Sequence, residues 1–387
     1  MKDIDFLSYK CHVYMLKLLL NFLKGAYMKF LSTTIKTAAV AALAVSMSIS
    51  AASARVYHWK LAMTWPTNLP PFSDTVYKFA DDVKKMSNGQ LIIRVDSKNK
   101  HKSPFGIFDM VRAGQYEMGH TASYYYKGKD PNTMFFTTMP FGMIAPEQWA
   151  WFYYGNGMKY MEKVYNKYNI MAFPGGATGN QMGGWFRKPI KSLADLKGLK
   201  MRIPGLAGEI MAKLGVTVTN IAPGELYTSL ERGNIDALEW VGPGMDIRMG
   251  FHEIAKYYYT GWHEPATSLT YFVNKRKWDK LPDNLKAILK DAMKANAFDM
   301  YVQNYDMSAR AWKKMKEKYP QIKIKTFPKE VFKAMKKAND EVLAKYASKD
   351  PLFKEILQDQ RKYLKMVREW TKMSDFLYLK ANMYNQE

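Results

Sequence analysis

Two stretches of this chain alternate short β-branched runs with amphipathic helices, and that alternation restricts the fold more than any other feature. In the first, Val56–Trp65 reads as a strand and Asn68-Leu69-Pro70-Pro71 as a loop. Phe72, Val76, Phe79, Val83 and Met86 then recur at spacings of four and three on one helical face. Asn88-Gly89 makes a turn before the β-rich run Leu91–Val95. A short helix over Ile107–Ala113 stops at Gly114, and Glu117–Ser123 leads into a tyrosine-rich loop. The second stretch repeats the logic. Ser192-Leu193-Ala194-Asp195 has the form of a capping box, with aspartate where glutamate is commoner. Leu199–Ile203, Val216–Ile221 and Asp236–Trp240 read as strands, with helices over Leu206–Leu214 and from Pro223-Gly224 to Arg232. Such alternation predicts parallel sheets in an α/β fold, and two units predict two lobes. After about Leu281 the chain reads as mostly helical, interrupted by Pro320 and a strand over Ile322–Thr326.

Met28–Ala54 reads as a secretory signal. Lys29 and Lys36 precede the apolar Ala38–Val45 stretch, and Ala52-Ser53-Ala54 forms the cleavage site. The apolar run is short and studded with serine and threonine, which disfavours a permanent membrane span. Because the signal starts at a methionine, residues 1–27 read as a mis-assigned or untranslated extension, and the exported chain starts at Arg55. The single cysteine, Cys11, falls in that extension. The exported part therefore has neither a disulfide framework nor a cysteine-built metal site. The 58 Lys+Arg against 35 Asp+Glu give a formal charge of +23. That surplus suits an anionic ligand, a phosphate-rich surface or nucleic acid, and export argues against the last.

Signals for catalysis are poor. The chain has no G-x-S-x-G, no P-loop and no nicotinamide fingerprint. His252-Glu253 and His263-Glu264 begin like a zinc-protease motif, but Lys256 and Ala266 or Thr267 stand where a second histidine is needed. Gly175-Gly176-Ala177-Thr178-Gly179 reads as a flexible crossing between lobes in preference to a phosphate cradle. Arg202, in Lys200-Met201-Arg202-Ile203-Pro204-Gly205, ends a strand and fits a carboxylate anchor. A guanidinium offers paired donors in a fixed fork, which lysine does not. An isolated arginine is more often half of a surface ion pair, so its neighbours decide.

Those neighbours carry a family resemblance. Asn180-Gln181-Met182-Gly183-Gly184-Trp185-Phe186-Arg187, followed by Ser192–Gly205, resembles the signature of the solute receptors of TRAP (tripartite ATP-independent periplasmic) transporters. The match continues through Ala222–Tyr227, Gly233–Pro243 and Gly261-Trp262-His263-Glu264-Pro265, and spans nearly all of Arg55 to Leu352. It implies a two-lobed α/β periplasmic binding protein fold, hinge-linked, that closes on an organic acid and delivers it to membrane permease subunits. The implied division is 55–178 plus 268–300 for lobe I, 179–267 plus 301–351 for lobe II, and 352–387 for a C-terminal helix. Many dicarboxylate and sialate receptors of the family carry Glu-Asn-Pro where this chain has Glu239-Trp240-Val241-Gly242-Pro243. The chain resembles instead the branch that binds 2-oxo acids or lactate with a metal ion.

Carried over from that branch, Gln181, Glu239 and the backbone oxygen of Trp240 hold sodium or calcium, and Arg202 grips the carboxylate. Oxygen donors without sulfur agree with a hard cation. The loop Ala122-Ser123-Tyr124 corresponds to a binding loop, making Ser123 and Tyr124 substrate candidates beside Gln181, Trp240 and His263. Tyr124 is equally explained by aromatic packing with Tyr125 and Tyr126. His263 is a candidate for metal or substrate, or a structural histidine. Phe353, Ile356, Tyr363, Val367, Trp370 and Leu377 lie near heptad spacing, which fits packing on the chain's own lobe or a homodimer contact. The leading expectation is a periplasmic receptor for a pyruvate- or lactate-like acid. The alternatives are the same fold binding another organic acid or a polyol and, less favoured, a secreted enzyme on this scaffold.

Overall fold

The structure is a computed structural model that describes residues 13–29 and 55–384. Residues 13–29 form a helix within a separate compact unit that ends at Arg55, and Val56–Glu387 makes the second unit. The expected signal lies outside the described residues except for Met28 and Lys29, the end of that helix. Among the described residues, no helix is long and apolar enough to cross a membrane.

In chain order the strands are β1 (Tyr57–Met63), β2 (Leu91–Asp96), β3 (Met118–Thr121), β4 (Ile170–Ala177), β5 (Gly184–Phe186) and β6 (Lys200–Arg202). They continue with β7 (Thr217–Thr219), β8 (Ala237–Leu238), β9 (Tyr257–Tyr259), β10 (Ser268–Asn274) and β11 (Lys323–Lys325). One sheet has the order β2-β1-β3-β10-β4, the other β11-β9-β5-β8-β6-β7. Helices cover the faces of the first sheet, so Leu61, Ala62 and Met63 of β1 and all seven residues of β10 are buried. The helix Phe72–Met86 lays Phe72, Val76, Phe79 and Val83 on that core, while Met86 turns out to solvent.

The expectation of parallel sheets is half right. β1 pairs in parallel with β2 and β3, and β6 with β7 and β8. β10 is antiparallel to both β3 and β4, and β5 is antiparallel to β8 and β9. The reason is connectivity: β4 leaves the first sheet for β5 of the second, and β9 returns to β10. A chain that goes out and comes back inserts strands of the opposite sense. β4 is an edge strand, which is why Pro174 is tolerated within it.

A single helix, Asp283–Lys318, runs beside β4 and reaches Pro243–Asp246 of the second lobe. Residues 300 and 301, where a passage between lobes was expected, lie inside this unbroken helix. The helix presses so close to β4 that a Cβ on Gly176 would fall 2.3 Å from Met300 Sδ. Gly176 also holds φ at +144°, a backbone state that side chains rarely adopt. Close packing therefore accounts for this part of the glycine run. The C-terminal helix, Pro351–Thr371, is capped by Asp350, whose carboxylate accepts from Leu352 N at 2.8 Å. It packs Phe353 on Phe135 and anchors Arg368 to Glu147 at 2.7 Å. It then passes through a π turn over Lys372–Phe376 into Leu377–Tyr384.

Asn296 joins three elements of the first lobe. The Tyr271 hydroxyl on β10 donates to its Oδ1 at 2.7 Å, and its amide donates to Thr75 O at 2.6 Å. Asn296→Ala leaves that buried hydroxyl without a partner and should lower stability by about 1–3 kcal/mol in urea titration. An unchanged midpoint would show that water or a rotated tyrosine replaces the bond.

Candidate functional site

Arg202 is the last residue of β6, and Glu239 directly follows β8. Parallel pairing aligns Arg202 with Leu238, and Glu239 N donates to Arg202 O at 3.2 Å. Their side chains therefore leave the same sheet end. Arg202 Nη1 donates to the Glu239 carbonyl at 2.8 Å and also to its Oε1. Nε reaches Ile221 O at 3.4 Å, while Nη2 is buried with no protein partner. Arg202 is 1% exposed and Glu239 0%. The guanidinium carbon stands 5.5 Å from the Trp240 ring centre, and that indole meets Phe72 of the first lobe at 6.1 Å.

The two crossings between lobes run side by side. Gln181 N donates to Glu264 O at 2.9 Å, and Thr178 N to Thr267 O at 3.2 Å. This pairing carries Gln181, His263 and Glu264 to the same level as Arg202 and Glu239. His263 Nε2 lies 3.2 Å from Glu239 Oε2, with its Nδ1 unpartnered. Thr267 donates its hydroxyl to Glu264 Oε2 at 2.7 Å, leaving Oε1 buried and without a partner. The Gln181 amide donates to Thr178 Oγ1 at 3.0 Å, so its Oε1 is likewise unpartnered.

Across the cleft, Tyr124 meets the second lobe. A Cβ on Gly205 would sit 2.5 Å from the Tyr124 ring, and Gly205 holds φ at +64°. Only glycine fits there, at the start of the helix Gly205–Lys213. Lys127 secures the same contact, donating to Gly205 O at 3.1 Å and Glu209 Oε1 at 2.6 Å. Ser123 points elsewhere: its hydroxyl pairs with Thr270 Oγ1 on β10 at 2.7 Å. The sequence candidates Gln181, Arg202, Glu239, Trp240 and His263 thus converge, Tyr124 closes over them, and Ser123 supports β10.

The family described as Bacterial extracellular solute-binding protein, family 7, matches residues 61–350. A TRAP periplasmic solute binding protein from Colwellia psychrerythraea, solved with bound calcium and pyruvate, is 59% identical. That match covers 84% of this chain and 100% of the other, with a TM-score of 0.84. One from Pseudoalteromonas atlantica, solved with bound sodium and pyruvate, is 58% identical over 84% of this chain and 99% of its own, TM-score 0.83. The monocarboxylate 2-oxoacid-binding periplasmic protein of a Nostoc strain is 38% identical over 348 residues, 89% of this chain and 94% of its length. The chain belongs to this family. It is a TRAP solute receptor with the expected two-lobed α/β fold, and not an enzyme.

The receptor's donor set fits a hard cation. Glu239, His263 and Glu264 place ligand atoms within 4.8 Å of one another. Two buried oxygens, on Gln181 and Glu264, lack a donor. Sulfur is absent, and carboxylate and amide oxygens are what sodium and calcium take. Burial pushes the Glu239 carboxyl up to about 7, against the pull of Arg202. Burial, reinforced by Glu239, pushes Glu264 to about 7 as well. Burial holds His263 neutral, down to about 4, with its Nε2 within hydrogen-bond reach of Glu239 Oε2. Burial works against the charge on Arg202, but Glu239 together with Tyr125, Tyr124 and Glu264 outweighs it, so the guanidinium is held above its usual range and stays ionised.

Sequence reasoning missed two buried acids. Glu264 was visible in Gly261-Trp262-His263-Glu264-Pro265, but its pairing with Thr267 and its approach to Glu239 depend on the crossing. Asp246 gave no signal. It accepts from Trp185 Nε1 at 3.0 Å, Tyr258 Oη at 2.8 Å and the amides of Val241 and Gly242 at 3.1 and 3.0 Å. Asp246 thereby fixes the turn that follows Trp240.

A cation takes only the deprotonated carboxylates, so binding must release the protons that burial retains. Calcium affinity of the acid-free receptor should therefore rise from about pH 6 to about pH 8, with proton release read by calorimetry in two buffers of different ionisation enthalpy. An affinity flat across that range would mean that both carboxyls are ionised before the cation arrives.

Proposed function

We propose that this receptor closes on a 2-oxo or 2-hydroxy monocarboxylate of pyruvate or lactate size, held by Arg202 and a sodium or calcium ion, and presents it to membrane permease subunits. The carrying observation is the buried Arg202–Glu239 pair, with one guanidinium nitrogen still lacking a protein partner beside unpartnered oxygens of Gln181 and Glu264. The Colwellia and Pseudoalteromonas relatives, which hold pyruvate with calcium and sodium, support the ligand class. The Nostoc 2-oxoacid-binding relative supports it independently.

So small an acid has little area to bury, so its affinity must come from charged contacts in a dry site. Arg202 keeps its plane fixed through Nη1 on Glu239, which leaves Nη2 to donate to the carboxylate. The expected two-pronged grip thus becomes a divided one, with one nitrogen for the protein and one for the ligand. Gln181, Glu239 and the Trp240 backbone oxygen would hold the cation, which when bound supplies counter-charge to the carboxylate and the 2-oxo oxygen. Alternating charges make the cluster cheaper to bury than any member alone. Trp240 and Phe72 form the apolar wall, and Tyr124 over Gly205 excludes water. Delivery to the periplasm rests on the signal over residues 28–54.

Pyruvate should give binding heat with cation-replete protein and none in sodium-free buffer from which calcium has been chelated. Arg202→Lys should weaken binding by about 100-fold, the worth of a charge-assisted bond in a buried site. Binding equal to the parent's would remove Arg202 from its role.

The C-terminal helix is read as a homodimer contact. Met366, Trp370, Met373 and Leu377 are all exposed, Trp370 at 71%. Apolar surface of that kind is uncommon on a monomer. Sedimentation should find a dimer that Trp370→Asp dissociates, and a monomeric parent would reject the contact.

A further inference from the structure

We propose that Lys127, Glu209 and Tyr346 form a latch across the mouth of the cleft, which sets how long a bound acid is retained. The inference deepens the reading of a receptor that closes on its ligand, and it rests on that reading. Lys127 follows the turn Ser123–Tyr126 that leaves β3 of the first sheet. Glu209 stands in the helix Gly205–Lys213 that leaves β6 of the second. Lys127 Nζ donates to Glu209 Oε1 at 2.6 Å and to Gly205 O at 3.1 Å, so one ammonium holds two acceptors of the opposite lobe. The Tyr346 hydroxyl donates to the same Oε1 at 2.7 Å. Tyr346 lies on the helix Lys329–Lys349, which packs against the helix of Glu209. Glu209 is thus held from its own lobe and stays in place when Lys127 leaves. One half of the latch is preset, and the other swings in.

Exposed ion pairs return little, because water competes and two long side chains must be ordered. This pair is sheltered: the side chains of Lys127 and Glu209 are 32% and 29% exposed, and Tyr346 already orders the carboxylate. The same polarity recurs at a second point of the mouth, where Lys98 of the first lobe stands 4.0 Å from Glu225 of the second. Glu225 is 62% exposed there, so that contact is the weaker one. Lys127 also follows Tyr124 by three residues, and its bond to Gly205 O pins the ring that covers Gly205. An acid leaving the closed cleft must wait for these contacts to break. An acid entering the open cleft has not met them. The latch therefore acts on dissociation and leaves association nearly unchanged. Were the three residues only a surface network, ligand retention would not depend on them.

The test times pyruvate dissociation from the cation-replete receptor by stopped flow, read through tryptophan fluorescence because Trp240 stands beside Arg202. Glu209→Gln and Lys127→Met should each speed dissociation about 5- to 10-fold, and Tyr346→Phe about threefold. Association should stay within about twofold of the parent's. The double variant should dissociate no faster than the faster single, because either change breaks the same contact. Choline chloride raised from about 0.05 M to about 1 M should speed dissociation of the parent more than that of Glu209→Gln. Dissociation rates equal to the parent's, effects that multiply in the double variant, or a change confined to association overturn the proposal. If Lys127→Met fails to fold, Glu209→Gln and the salt series decide. Absence of any pyruvate signal in the parent would instead reject the 2-oxo acid reading. The latch is then judged in the acid-free chain, with spin labels at Lys102→Cys and Thr228→Cys in a Cys11→Ser background. These exposed positions lie four and three residues from Lys98 and Glu225. Glu209→Gln should cut the short-distance population about threefold, and a distribution equal to the parent's overturns the latch.

Discussion

A guanidinium and a carboxylate in contact where no water reaches are the constraint on which this receptor depends. Arg202 and Glu239 neutralise each other only in part, because Glu239 also faces His263 and Glu264, and Arg202 keeps one nitrogen free. A buried charge left without its partner costs several kcal/mol, more than any single surface ion pair returns. The cluster is therefore incomplete in itself: one guanidinium nitrogen and buried oxygens of Gln181 and Glu264 have no partner within the protein.

The fold builds that cluster through its two crossings. β4 leads out to β5 and β9 leads back to β10, and the segments between are hydrogen-bonded side by side. Gln181 rides on one, His263 and Glu264 on the other, so the hinge itself carries half of the site. The remainder stands at the ends of β6 and β8, stiffened from behind by Asp246. The helix Asp283–Lys318 touches both lobes along one side.

Local signals explain what was legible in the sequence. The helix Phe72–Met86, the turn at Asn88-Gly89 and strands β1, β2, β6 and β7 follow from apolar spacing and β-branched runs. The crossing strands do not. β4 contains Pro174-Gly175-Gly176, β9 is three tyrosines, and both are strands only because partners far away in sequence hold them. The antiparallel pairings were hidden for the same reason. Arg202 was singled out by its place at a strand end, Gln181, Glu239, Trp240 and His263 through a family resemblance in ordered motifs, and the structure brings them together. Glu264 lay beside His263 in plain view, yet its bond to Thr267 and its approach to Glu239 exist only in three dimensions. Ser123 shows the limit of motif transfer: the loop is where it was expected, but its hydroxyl belongs to Thr270.

Anomalous diffraction from crystals grown with calcium and pyruvate tests the central claim most directly. The account predicts one calcium peak with oxygens of Gln181 and Glu239 at about 2.3–2.6 Å, and the acid's carboxylate between that peak and Arg202 Nη2. A peak away from Glu239, or a carboxylate that does not reach Arg202, would contradict it.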